Sequence, residues 1–345
     1  MIVVDHIGGS TLSRFTLHSF ALSDATEVFV FLGGFATATA YIGLAARHTE
    51  AAARQRFIWR SFEIYRAFLI AAALMLLISS ALLAFSINAP NIVTSDIDAL
   101  IEAPIDFLRD ILLFRRQPYL ASVLPMYVIF ALTVPLLVPL ACRMPLLLAA
   151  GSITLWLVSS LAVNWLPHAD GTQWSFNPLA WQLLFVAGIL AKCRVPYQRI
   201  GARLRGWPST ILATIVVVAA LYYRLDVQTE PLDGSLKQNL AWFRVANFLA
   251  IAWIVTNIMQ FGRIKIVACM LPWVCAVGRK GLLCFVSGSA ISLIIDSILF
   301  KVTDGYLNYS LGLVADVIAI SALFLVANGS ERIMHQLRSQ AKAPA

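Results

Sequence analysis

Seven stretches of this chain run for at least 18 residues without a charged side chain: 28–46, 67–95, 117–142, 144–167, 171–191, 206–223 and 245–262. Two more apolar stretches towards the C-terminus are each broken by a single acid, Asp296 and Asp316. A helix rises about 1.5 Å per residue and the hydrocarbon core of a bilayer is about 30 Å thick, so about 20 apolar residues make a crossing. The expectation is an all-α, polytopic membrane bundle with nine full spans. Composition agrees, since 60% hydrophobic and 13% charged residues in a chain of 345 do not describe a water-soluble domain.

The connections are short, with no Ser/Gly-rich linker, low-complexity tract or repeat of 20–50 residues. One domain over 1–345 is therefore expected, with 328–345 as a tail beyond the last span.

Loop charge orients the spans. One side collects seventeen bases, among them Arg47, Arg54, Arg56, Arg60, Arg143, Lys192, Arg279 and Lys280, against two acids, Glu50 and Glu331. The other side has seven bases and eleven acids, and the sides alternate without a break. The basic side reads as cytoplasmic and takes the C-terminus with it. The net charge of +8 is thus spread over loops, not gathered on a soluble module, which sets nucleic acid aside as a partner. The five cysteines, Cys142, Cys193, Cys269, Cys275 and Cys284, fall on the cytoplasmic side or within spans and show no metal-ligand spacing. No metal is expected.

The orientation leaves one inconsistency. The span 28–46 must run from outside to inside, so residues 1–27 must begin outside, yet MIVVDHIGG is too short to cross. We expect Met1 to lie inside what was a first helix, with residues 1–9 as its remnant. On that expectation the chain is an N-terminally truncated reading or a decayed gene.

A charge within a span costs about 2.5–3.5 kcal/mol on insertion scales, so such residues face protein or water. They are few: Asp5, His6, Glu27, Glu63, Arg66, Arg244, Asp296 and Asp316. Asp24 and Glu27, at i and i+3, either share a helix face or form an acid-rich helix start with Asp24 or Ser23 as N-cap. His6 is either a packed core histidine or an acid–base group. In the second case Asp24 or Glu27 would hold its second nitrogen, because the adjacent Asp5 points elsewhere on a helix. Glu63 and Arg66 read as a surface ion pair. Arg54, Arg56 and Arg60 read as a topological or lipid-headgroup cluster, or as a phosphate clamp. In FNPLAWQLLF (176–185) the aromatics suit an interfacial belt, while Asn177 and Gln182 could bond a polar acceptor.

The run VVDHIGGSTLSRFTLHSFALSDATEVFVFLGGFATATAY (3–41) resembles the N-terminal signature of OpgC-type proteins, a branch of the acyltransferase 3 superfamily. LPMYVIFALTVPLL (124–137), FNPLAWQLLFVAGIL (176–190), KQNLAWFRVANFLAIAWIV (237–255) and VGRKGLLCF (277–285) follow in the expected order. The resemblance implies ten membrane helices in the bacterial inner membrane. It also implies transfer of an acyl group, typically succinyl from cytoplasmic succinyl-CoA, onto hydroxyls of osmoregulated periplasmic glucans. His6 matches the histidine of the superfamily's first helix, and the arginine about eleven residues earlier would precede Met1. Phe68 stands where the family often has histidine, and Lys280 where histidine or asparagine is common.

Under this resemblance His6 is the expected general base, oriented by Asp24 or Glu27. Arg54, Arg56 and Arg60 would hold the phosphates of acyl-CoA, with Arg66 acting deeper. Asn177, Trp181 and Gln182 would contact the glucan. A competing reading is a transporter or flippase with a path through Glu63, Asp296 and Asp316. A third is an inactive relic of the acyltransferase.

Overall fold

The computed structural model describes residues 2–193, 207–227, 234–259 and 272–340, and every regular element among them is helical. The main helices are α1 (Ala25–Arg47), α2 (Glu50–Ala84), α3 (Thr94–Glu102), α4 (Pro104–Leu112), α5 (Val123–Arg143), α6 (Pro145–Ala162), α7 (Pro178–Cys193), α8 (Trp207–Tyr222), α9 (Trp242–Met259), α10 (Pro272–Arg279), α11 (Gly281–Thr303) and α12 (Tyr309–Gln340). Arg194, Arg199, Arg203, Arg205, Arg263, Lys265 and Cys269 lie outside the described residues.

Seven segments among the described residues are long and apolar enough to cross a bilayer, where the sequence leads us to expect nine full spans. The other two expected spans are the shorter apolar helices Pro178–Cys193 and Trp242–Ile258. Helix α7 is short because its start is fixed at Pro178. Asn177 caps it, its Oδ1 accepting the Leu179 N–H at 3.0 Å, and the residues before it form a loop tied by Trp174 Nε1 to the Pro167 carbonyl at 2.7 Å. The C-terminal helix continues past residue 328, where the tail is expected to begin, to Gln340.

Local chemistry sets the other ends. Thr49 caps α2, its hydroxyl accepting the Ala52 N–H at 3.1 Å, so the chain reverses within two residues of Arg47. Pro145 opens α6 at its first turn and forces Met144 out of helical conformation, separating α6 from α5.

The centre of the bundle is a close crossing of α1 and α7. A Cβ on Gly34 would lie 2.0 Å from the Phe185 carbonyl oxygen, and a Cβ on Gly188 would lie 2.0 Å from that of Phe31. Only glycine at both positions lets the two backbones touch. Around them the rings of Phe130 and Phe185 stack at 4.7 Å, and Trp181 is wholly buried. Phe68, at a position where the resemblance implied histidine, is also wholly buried and packs 5.4 Å from Phe114.

Residues 2–16 form one helical turn, Ile2–Asp5, and then a strap laid across α11 and α12 that ends in a short 3-10 turn, Leu12–Phe15. Ser292 Oγ donates to the Val3 carbonyl at 2.8 Å, and Asp296 Oδ1 accepts the Gly8 N–H at 2.6 Å. Asp316 Oδ2 accepts from Thr11 N and Leu12 N at 3.0 and 2.8 Å. The two acids that interrupt the last spans therefore serve as anchors for this strap.

Candidate active site

Asp24 is the N-cap of α1. It accepts the Thr26 N–H at 2.7 Å, while Glu27 Oε2 accepts the Asp24 N–H at 2.9 Å, completing a capping box. The remaining carboxylate oxygens face cations from the segment before α9 and from α9 itself. Arg244 Nε donates to Glu27 Oε1 at 2.6 Å, Arg244 Nη2 reaches Asp24 Oδ2 at 3.2 Å, and Lys237 Nζ reaches the same oxygen at 2.9 Å. Two anions and two cations thus neutralise one another at the mouth of α1, in a setting where Glu27 is wholly buried and Arg244 nearly so. Burial works against ionising Asp24, and the charges of Lys237 and Arg244 outweigh it, holding its carboxyl well below the usual carboxylate range. From α9, Asn247 Oδ1 also accepts from Ser23 N and Ser23 Oγ at 3.2 and 3.0 Å, fixing the approach to the helix.

This charged cluster forms one wall of a cavity of about 590 Å³, within the size range of small-molecule sites. The strap contributes Asp5 and His6, the segment that follows it His18, and α1 with its cap Asp24, Thr26 and Phe29. Tyr119, Gln173 to Phe176, Lys237, Gln238 and Phe285 also line it. Aromatic faces alternate with amides and hydroxyls. His6 stands with its ring centroid 6.3 Å from that of Tyr119, and Lys237 Nζ lies 6.0 Å from the centroid of Phe176.

Of the residues expected to carry chemistry, the structure brings His6 and Asp24 to one cavity. It binds Glu27 behind Asp24, against Arg244. Both carboxylates accept the hydrogen bonds described above from cations and backbone amides. Asp5 reaches the cavity too, accepting from Thr16 Oγ1 at 2.7 Å; it can do so because the helical turn ends there and adjacent side chains need not diverge.

Asn177, Trp181 and Gln182, expected to meet the acceptor, sit behind the cavity wall. Asn177 Nδ2 donates to the Ser159 carbonyl and to Asn239 Oδ1, both at 2.9 Å. Trp181 Nε1 donates to the Lys237 and Gln238 carbonyls at 3.1 Å. Gln182 exchanges bonds with Ser152, accepting its hydroxyl at 2.7 Å and donating to its carbonyl at 2.8 Å. Their polar atoms are spent on holding α6, α7 and the 237–240 turn together, and it is this turn that presents Lys237 and Gln238.

At the other end of α1 and α2, Arg54 pairs with Glu50 at 2.7 Å. Glu63 pairs with Arg60 at 2.8 Å and Arg56 at 3.0 Å, reaching back along α2, whereas its spacing in the sequence suggests Arg66. The carboxylate satisfies two guanidinium groups in that direction, and Arg66 is exposed. None of these four arginines lines the cavity that holds His6.

Sequence reasoning missed Asn91, Tyr119, Gln173 and Trp174 as neighbours of the site, and gave Lys237 no role. The pairing of Asp24 and Glu27 with α9 had one legible signal: Arg244 is a lone base at the head of an apolar run, and such a charge needs an anion.

A family profile described as OpgC protein matches residues 1–335. No curated protein and no solved structure matches the chain.

Proposed function

This chain belongs to the OpgC family, and from that premise we propose that it is a membrane-bound O-acyltransferase that moves a succinyl group from cytoplasmic succinyl-CoA to hydroxyls of a periplasmic glucan. The observation that carries the reading is the position of His6, an imidazole on the wall of a 590 Å³ cavity lined by Phe29, Tyr119, Trp174 and Phe176 together with Gln173 and Gln238. Flat aromatic faces suit the apolar faces of sugar rings, and the amides suit their hydroxyls.

A sugar hydroxyl is a poor nucleophile at neutral pH, and imidazole has the intrinsic pKa for a base that works there. In the proposed reaction the hydroxyl oxygen attacks the thioester carbonyl carbon while His6 takes its proton. The carbon–sulfur bond breaks, the acyl ester forms, and the leaving thiolate receives the proton from His6 to depart as the CoA thiol. Lys237, held beside the cavity by Asp24, supplies a positive charge for the developing oxyanion.

Donor binding is assigned to the far end of α2. The rings of Tyr41 and Phe57 lie 5.7 Å apart, so α1 and α2 run side by side there. At about 1.5 Å per residue, Arg60 stands roughly 16 Å along α2 from its cap, alongside the apolar part of α1. Charges at that depth need water or a polar ligand, and a guanidinium cluster fits the phosphates of acyl-CoA. The proposed setting is the bacterial inner membrane, with ten helices in the complete family bundle and the C-terminus cytoplasmic.

The transporter reading depends on Glu63, Asp296 and Asp316 as a proton or substrate path; Glu63 is paired with Arg56 and Arg60, which leaves the two aspartates. Both spend oxygens on backbone amides of the strap, which gives them another occupation.

The test is mass spectrometry of periplasmic glucans from cells with and without the gene. Loss of the acyl-shifted species on deletion supports the reading. An unchanged spectrum, repeated with no acyl transfer by the purified protein from succinyl-CoA to glucan, rejects it.

A further inference from the structure

His6 follows directly on the helical turn Ile2–Asp5, where the chain leaves helical geometry and the strap begins. Two side chains reach the peptide units on either side of Ile7. Asp296, in α11, accepts the Gly8 N–H through Oδ1 at 2.6 Å and Asn91 Nδ2 through Oδ2 at 2.5 Å. Asn91 Nδ2 also donates to the His6 carbonyl at 3.5 Å. Between those two atoms Ile7, only 1% exposed, plugs into a small apolar cluster with Val3, Leu299, Ala315 and Ala319.

We propose that Asp296 and Asn91 are positioning residues for His6: they clamp the segment 6–8 by its carbonyl and its amide and so fix where the imidazole stands in the cavity. The inference rests on the reading of His6 as the base, and it gives a purpose to a carboxylate placed inside an apolar helix, where one is costly. Asp316, which holds Thr11 and Leu12, anchors the same strap but touches it further from His6. Asp296 acts two residues from the histidine, at the Gly8 amide, and holds the Asn91 amide that reaches the His6 carbonyl. The geometry matters because proton transfer needs heavy atoms within about 2.6–3.2 Å, and a displacement of about 1 Å can cost about a hundredfold in rate.

The test measures acyl transfer in the full-length protein and in N91A, D296N and D296A, with hydrogen exchange on the segment 6–12 as a readout independent of activity. The amide oxygen introduced by D296N can still accept the Gly8 N–H, so this variant should retain more activity than D296A. N91A, which leaves the Gly8 bond intact, should lower kcat about tenfold with the KM for donor and acceptor unchanged within about twofold. In D296A the Gly8 amide should exchange faster while α1 exchanges as before. Equal kcat in N91A, D296N and wild type, with unaltered exchange at Gly8 in D296A, overturns the clamp. A fall in kcat only in proportion to the loss of folded protein would also overturn it, leaving a structural anchor. If the wild type transfers no acyl group, or H6Q transfers as well as wild type, it is the reading of the site that fails, and the exchange result still decides whether the clamp exists.

Discussion

Arg244 Nε and Glu27 Oε1 meet at 2.6 Å where the guanidinium side chain is 3% exposed and the carboxylate 0%. Breaking a buried pair by removing one partner strands the other charge and costs about 3–5 kcal/mol. R244A strands Glu27 and removes one of the two cations from Asp24, so it should lower the melting temperature in detergent sharply and reduce the yield of folded protein. R244K should fall between, because an ammonium cannot reproduce the fork that serves both acids. A melt of R244A equal to that of wild type would show that the pair holds nothing.

Asp24 sets the expected pH behaviour by not titrating. Its folded-state pKa lies below the unfolded value, against burial, because of Lys237 and Arg244. Such a group contributes stability that is fully present above its unfolded value, about 3.9, and is lost only as pH falls through the lower folded value. Across the neutral range its charge is constant. The acid limb of kcat/KM should therefore arise from a group other than Asp24, which the proposed mechanism places at His6. D24N should lower the plateau and the melting temperature and keep an acid limb. Loss of the limb in D24N would place the titrating group at Asp24.

The crossing of α1 and α7 makes a prediction about packing alone. In G34A or G188A the new methyl carbon must sit where a backbone carbonyl oxygen lies 2.0 Å away, and a carbonyl cannot rotate aside as a side chain can. Overpacking of this kind costs about 1–3 kcal/mol. Both variants should melt earlier than wild type, and the double variant should lose less than the sum, since once the helices part the second methyl meets less resistance. G151A, whose added carbon meets nothing within 4 Å, is the control and should melt with wild type.

What could be read from the sequence was whatever depends on runs and short spacings. The apolar stretches located the membrane helices, and the Asp24 to Glu27 spacing carried an N-cap at Asp24 or Ser23 as one of two alternatives. The partners of those acids lie far along the chain, at Lys237 and Arg244, and no spacing rule joins such positions. The same distance hid the roles of Asp296 and Asp316: read as charges in lipid they suggest a path for protons, and only the fold reveals the strap amides opposite them. Asn177, Trp181 and Gln182 were ambiguous for the opposite reason. Polar groups in an apolar run are equally expected at a binding site and in a buried staple, and which one they form depends on whether Ser152, Ser159 and Asn239 stand within reach.

The separation of the two charged regions predicts a separation of kinetic effects. Arg56 and Arg60 pair with Glu63 along α2, with side chains 50% and 40% exposed, and exposed pairs of this kind contribute about 0–1 kcal/mol. R56A/R60A should therefore leave the melting temperature nearly unchanged. If the guanidinium groups hold donor phosphates, the variant should raise the KM for acyl-CoA about tenfold or more while the KM for glucan stays put. Lys237, on the wall of the cavity beside Phe176, should show the reverse, K237M raising the acceptor KM more than the donor KM. Steady-state kinetics with each substrate varied in turn reads both variants. A rise in the acceptor KM of R56A/R60A without one for the donor would move acyl-CoA away from this end of α2 and leave its arginines as topological charges.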